Sequence, residues 1–182
     1  MMPAVFVLLL LSYCFSAVVP AAFASDQIDT APIVQGFEFE QEKQLQGLPR
    51  PIRSTGRLTV YKDHMYWIVE HPVATTIRVD GDGIQEVVEG EGKLVSGSKF
   101  VARLLMAVIQ NDREFLKDHF EASSCTIEAE NCTRFIPLSQ QILDYYQDIS
   151  VYGQPILNGI VLNESNGSIT TIKLSPQKSS EE

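Results

Sequence analysis

Apolar and polar residues alternate along most of this chain, and the alternation gives way to helical spacing in its middle third. Residues 56–61 put Leu58 and Val60 on one face of a strand. Lys62-Asp63-His64 reads as a turn. Residues 65–69 resume the pattern, with Met65, Trp67 and Val69 on one face and Tyr66 and Ile68 on the other. Residues 75–79 alternate again and group Ile77 with Val79; Asp80-Gly81-Asp82-Gly83 then carries strong turn chemistry. Residues 84–88 form a further short strand, and Gly90-Glu91-Gly92-Lys93 reads as a charged turn. Upstream, residues 36–46 fit either element. Phe37 and Phe39 alternate as in a strand, whereas residues 41–46 are helix formers. Pro49 and Pro51 force the exit from that segment to be extended.

At Ser98 the period changes. Phe100, Val101, Leu104, Leu105, Val108 and Ile109 recur at helical spacing, with Ser98 placed to cap the start and Asn111 to mark the end. A second short helix is expected over 112–119. Strands return at 123–128 and 132–138 as a hairpin, followed by a short helical piece at 140–146. Strands at 149–152, 156–162 and 168–174 finish the pattern, the last two joined by the turn at 164–167. Short strands at even spacing predict an antiparallel meander that curls into a barrel or half-barrel. The expected class is α+β: a single curved antiparallel sheet forming an incomplete β-barrel, closed by short helices over a hydrophobic cavity.

The first residues change the picture of where this domain works. An apolar run from Val5 to Leu11 continues through Val19, Pro20 breaks it, and Ala22-Phe23-Ala24 supplies small residues where a signal peptidase reads. Residues 1–24 are therefore expected to be a cleaved secretory signal peptide. Tyr13 precedes Cys14, where lipid attachment would need a small residue, so Cys14 reads as a hydrophobe inside the signal. The expected domain runs from 25 to 174, after a linker-like stretch at 25–33 and before a polar, disordered tail at 175–182. Net charge is −9, which argues against nucleic acid as a partner. In an oxidising compartment the remaining pair, Cys125 and Cys132, is expected to form a disulfide across the hairpin.

Catalytic chemistry is sparse. His64, His71 and His119 have no second ligand at metal spacing, so neither a metal nor a cofactor is expected. Glu38, Glu40 and Glu42 share a face if their segment is extended, which fits a solvated face better than acid–base work. No nucleophile elbow, phosphate-binding glycine loop or zinc-binding helix motif is present. Asn131-Cys132-Thr133, Asn163-Glu164-Ser165 and Asn166-Gly167-Ser168 match the glycan acceptor triplet, a pattern common by chance. The informative feature is apolar. Large side chains cover more than half the circumference of the helix over 100–109, where a surface helix needs a narrower stripe. Two readings follow: an ordinary core, or an apolar cavity between sheet and helices that takes acyl chains at about 0.8 kcal/mol per buried methylene.

Several motifs, in order, resemble LolA-type outer-membrane lipoprotein carriers. They are Phe39-Glu40-Gln41, Leu48-Pro49, the stretch 51–58, Trp67 shortly before His71-Pro72, and the Asp-Gly turn at 80–83. Asn111-Asp112 before Phe115-Leu116 and Phe120, and Pro137-Leu138 before a short helix, continue the likeness over residues 35–174. The resemblance implies a monomeric, non-enzymatic periplasmic carrier. It would shield the acyl chains of a lipoprotein or lipid between an inner-membrane exporter and an outer-membrane acceptor. It also implies that Met65, Trp67 and Val69 face the interior, with Leu58, Val60, Ile77 and Val79 beside them and Leu104, Leu105 and Val108 supplied by the lid. One departure stands out: the family's Arg-Pro pair before the tryptophan strand is replaced by Lys62-Asp63-His64. That makes a glycolipid or other acylated molecule as good a cargo as a lipoprotein. An interaction component of an envelope lipid-export assembly is the alternative.

Overall fold

The computed structural model describes residues 35–153 and 156–177. The expected signal peptide, Cys14, the linker at 25–33 and residues 178–182 of the tail lie outside the described residues. Strand β1 (Gln35–Gln44) settles the ambiguous first segment as extended chain. It pairs antiparallel on both sides, with β2 (Ile52–Val60) and with the last strand, β11 (Ile169–Pro176). Two neighbours supply a full ladder, and that outweighs the helix propensity of 41–46. Phe37, Phe39 and Lys43 point into the core, and Glu38, Glu40 and Glu42 are exposed on the outer face.

From β2 the chain meanders through β3 (His64–His71), β4 (Thr75–Asp80), β5 (Gly83–Val88) and β6 (Glu91–Leu94). Helices α1 (Lys99–Ile109) and α2 (Arg113–His119) follow, then β7 (Phe120–Ile127) and β8 (Glu130–Pro137). Helix α3 (Gln140–Leu143), β9 (Tyr146–Tyr152) and β10 (Gly159–Glu164) lead into β11. All the strands among the described residues form one 11-stranded sheet in the order β6-β5-β4-β3-β2-β1-β11-β10-β9-β8-β7. The two end strands do not pair, so the barrel is open.

The helices fix its curvature. Helix α1 packs on β4 and β5, α2 packs on β7, and α1 and α2 pack on each other. In a flat sheet, eight spacings of about 4.8 Å would hold β4 and β7 roughly 38 Å apart. Helix α1 is only about 16 Å long at 1.5 Å per residue. The sheet must therefore bend until the helical pair bridges its two halves, which is the incomplete barrel that the alternation predicts.

Several local details differ from expectation. Glu91-Gly92-Lys93 belongs to the edge strand β6, paired with 85–88, rather than to a turn. Strand β7 begins at Phe120, directly after α2, and α3 is a single turn. Ser175 and Pro176, placed in the tail, still pair with Glu38 and Phe37. Ser98 precedes α1 but makes no cap hydrogen bond with its side chain. Its Oγ accepts from the Ile84 N–H at 2.8 Å and donates to the Val95 carbonyl, tying the helix start to β5. Cys125 and Cys132 stand opposite each other on β7 and β8, 4.9 Å apart at Cα, and are bonded. Their hairpin turns on Glu128 and Ala129, both with positive φ, a two-residue turn without the usual Asn-Gly.

One face of the sheet is continuous core. Phe37, Leu58 and Met65 are fully buried, and Val60, Val79, Ile149, Ile160, Ile172 and Leu174 extend the layer. Burying a side chain of this kind contributes about 1.5–3 kcal/mol. At Gly56 the strands close in: an added Cβ would meet the Ile68 carbonyl oxygen at 1.9 Å. The Phe39 ring lies over that glycine and packs against Trp67, with centroids 5.0 Å apart. The β2–β3 register shifts at the same point.

Candidate functional site: an apolar cavity beneath the helical pair

The junction between the helices shapes the site. Gln110 caps α1, and Asn111 takes a left-handed conformation at φ 54° that ends the helix. Asp112 starts α2 by accepting a hydrogen bond from the Phe115 N–H at 3.1 Å. Asp112 is also paired with Arg103 of α1, whose guanidinium lies over the Phe115 ring. The Arg103 hydrogen bond, then that from the Phe115 N–H, holds the Asp112 carboxyl below the ordinary carboxylate range.

Below this junction lies a cavity of about 420 Å³. Its deep walls are the buried side chains of Val108 from α1, Leu116 from α2, Phe120 from β7 and Val151 from β9, with half-buried Phe135 and Thr133 from β8. The exposed residues Asn111, Arg113, Lys117 and Ala122 make its rim. The sheet register explains the convergence. Ala122 faces Phe135, and Thr133 faces Val151, so alternate positions on three strands reach the same space.

The residues that the sequence pattern singled out are brought together elsewhere. Leu58, Val60, Met65 and Val79 are buried in the core beneath α1, with Leu104 and Val108 from the helix. Trp67, Val69, Ile77 and Leu105 are partly buried and pack against that cluster. Val108 alone of this set also lines the cavity. The other cavity residues, among them Leu116 and Phe120 of the LolA-like motifs, are not in the expected lining, although the two-residue spacing of Phe120 and Ala122 and of Thr133 and Phe135 puts each pair on one strand face.

A buried ion pair lies inside the barrel. Lys43 Nζ donates to Glu164 Oε1 at 2.5 Å, both side chains being buried, and the Thr170 hydroxyl donates to the same oxygen at 3.0 Å. Burial, and then the Glu164 carboxylate, push the Tyr146 hydroxyl up to about 12. His64 is buried, bonded to Asp63 at 2.8 Å and stacked on Tyr61. His119 lies against the rings of Phe100 and Phe115, and His71 is exposed. Among the described residues no group of three or more His, Cys, Asp or Glu side chains converges to hold a metal. No helix among them is long and apolar enough to cross a membrane.

No family model matches the sequence, and no curated protein sequence does. Distant likenesses appear among solved structures. The chain is similar to one in the MucA/MucB complex of Pseudomonas aeruginosa, with 10% identity and a TM-score of 0.43, over 82% of this chain and 54% of that one. It thus spans about half the length of that relative. It is similar to a DUF1329 family protein from Desulfovibrio piger, with 12% identity and a TM-score of 0.38, over 82% of this chain and 86% of that one. A domain described as outer membrane lipoprotein-sorting, from Vibrio parahaemolyticus, gives 8% identity and a TM-score of 0.32, over 81% and 88%.

Proposed function

We propose that this protein is a non-enzymatic periplasmic carrier that binds an acyl chain in the cavity under α1 and α2 and escorts it between membranes. The observation that carries the reading is the cavity itself. Buried apolar side chains from two helices and three strands leave about 420 Å³ unfilled, within the range of small-molecule sites. A methylene moved from water into such a space gains about 0.8 kcal/mol, so a chain of moderate length binds without any polar contact. The resemblance of the sequence to LolA-type carriers supports the same reading, as does the export signal expected at 1–24.

The test is lipid content and uptake. Protein isolated from its native envelope should carry acyl-bearing molecules by mass spectrometry, and the emptied protein should bind a fluorescent fatty acid. Ala122→Trp, at the exposed rim, should block that uptake while the fold persists. Absence of both native lipid and probe binding overturns the carrier reading. A second reading, a docking component of an envelope assembly, is favoured by the open edge of β7 and the exposed Ile136 and Leu138 nearby. It predicts a stable complex with a membrane partner and no bound lipid.

A further inference from the structure

We infer that the cavity is built for one alkyl chain bearing an anionic head, held at Arg113 and Lys117; this rests on the carrier reading above. Arg113 and Lys117 are four apart on α2, so their side chains project from the same face of the helix. Both are exposed, both line the cavity, and among the described residues no carboxylate lines it with them. The acidic neighbours are committed or directed elsewhere. Asp112 pairs with Arg103, and Glu114 and Asp118, although on the same helix, do not line the cavity. On a chain of net charge −9, a cavity whose charged lining among the described residues is two cations is a local reversal of sign.

The large apolar walls separate from the solvent end by burial, with half-buried Thr133 the polar group among them and Ala122 at the rim. Val108, Leu116, Phe120 and Val151 are buried, and Phe135 is half-buried above them. Asn111 and the cations stand at the solvent end. An amphiphile fits that gradient tail first, leaving its head between a guanidinium and an ammonium in reach of water. Capacity limits the tail. At ~30 Å³ per group of water size, the cavity holds roughly a dozen such groups, enough for one medium-length chain and too few for several. The head is named by its shared chemistry, a carboxylate or a phosphate monoester, since guanidinium recognises both through paired hydrogen bonds.

The experiment compares twelve-carbon probes of matched tail, dodecanoate, dodecyl phosphate and the uncharged dodecyl maltoside, by displacement of a fluorescent fatty acid from the full mature chain. The anionic probes are expected to bind about tenfold tighter than the neutral one, as two surface ion pairs would give, and to lose that margin as salt is raised. Dodecyl phosphate exceeding dodecanoate would mark a phosphate-bearing lipid as the source, and the reverse a free fatty acid. The double variant Arg113→Gln, Lys117→Gln should erase the margin between the anionic and the neutral probes. Equal affinity for charged and neutral probes, or a margin that survives the double variant, overturns the anionic-head assignment and leaves the carrier standing. Failure of every probe to bind overturns the carrier reading itself.

Discussion

Lys43→Ala should destabilise this protein more than any exposed substitution on the sheet. The Lys43 ammonium lies on the core face of β1, beside Thr170 on β11, and reaches Glu164 at the end of β10. Its side chain is 6% exposed and that of Glu164 is 7% exposed. Removing the lysine leaves the Glu164 carboxyl in the core with the Thr170 hydroxyl and, at 3.3 Å, the Asn166 amide as its donors. Breaking a buried pair in this way costs about 3–5 kcal/mol. With a urea dependence of about 2 kcal/mol per molar, the unfolding midpoint should fall by roughly 2 M. Replacing both partners with Met removes the orphaned charge, so Lys43→Met with Glu164→Met should lie near the parent or above it. Urea unfolding followed by tryptophan fluorescence reads all three, since Trp67 packs on the same core. A midpoint for Lys43→Ala within about 0.5 M of the parent would refute the reasoning, as would a double variant worse than the single.

Other consequences are checked by the same unfolding curves. Gly56→Ala places a methyl within 1.9 Å of the Ile68 carbonyl and should cost about 1–3 kcal/mol or more, through a shift of β3 rather than a lost contact. Replacing Cys125 and Cys132 with Ser opens a short loop and should cost about 2.5 kcal/mol on the chain-entropy account, without altering the spacing of the hairpin by nuclear Overhauser contacts. Tyr146 is held protonated up to about 12, above its ordinary 10.0, so its contribution is complete below pH 10. Stability should fall by roughly 2–3 kcal/mol as pH rises through that window, and Tyr146→Phe should flatten the fall. Asp112 is shifted the other way. Its contribution is present above its ordinary value of 3.8 and is lost as pH falls through its lower folded value, so Asp112→Asn should reduce the acid sensitivity of the helical junction.

The half of the barrel around Trp67 was legible because its strands alternate cleanly and are bounded by turn residues. Spacing alone therefore groups Leu58 with Val60, Met65 with Trp67 and Val69, and Ile77 with Val79; the resemblance is what implies that the three groups share one inner face. Strand β1 was not legible, because Gln41 to Gln44 have no local preference strong enough to overrule pairing with β2 and with the distant β11. Strand β6 was masked by glycine and charge, and an edge strand needs little else. The β7–β8 turn lacks glycine, so positive φ at Glu128 and Ala129 left no mark in the sequence. The cavity was hidden for a different reason. Its walls come from two helices and three strands, and the space between them depends on how far the sheet curls. Periodicity reports which side of an element is apolar, not whether the facing side chains meet. Apolar side chains fill the space beneath most of α1 and leave it open beneath α2 and the last turn of α1.

Photoreactive fatty acid labelling tests the central claim most directly. A twelve-carbon chain carrying a diazirine at its tail should crosslink to the peptides that hold Leu116, Phe120, Phe135 and Val151, with one chain per protein. Pre-filling the site by Ala122→Trp should abolish the label. Labelling confined to the strands at 58–79, or absent altogether, would contradict an acyl chain seated beneath the helical pair.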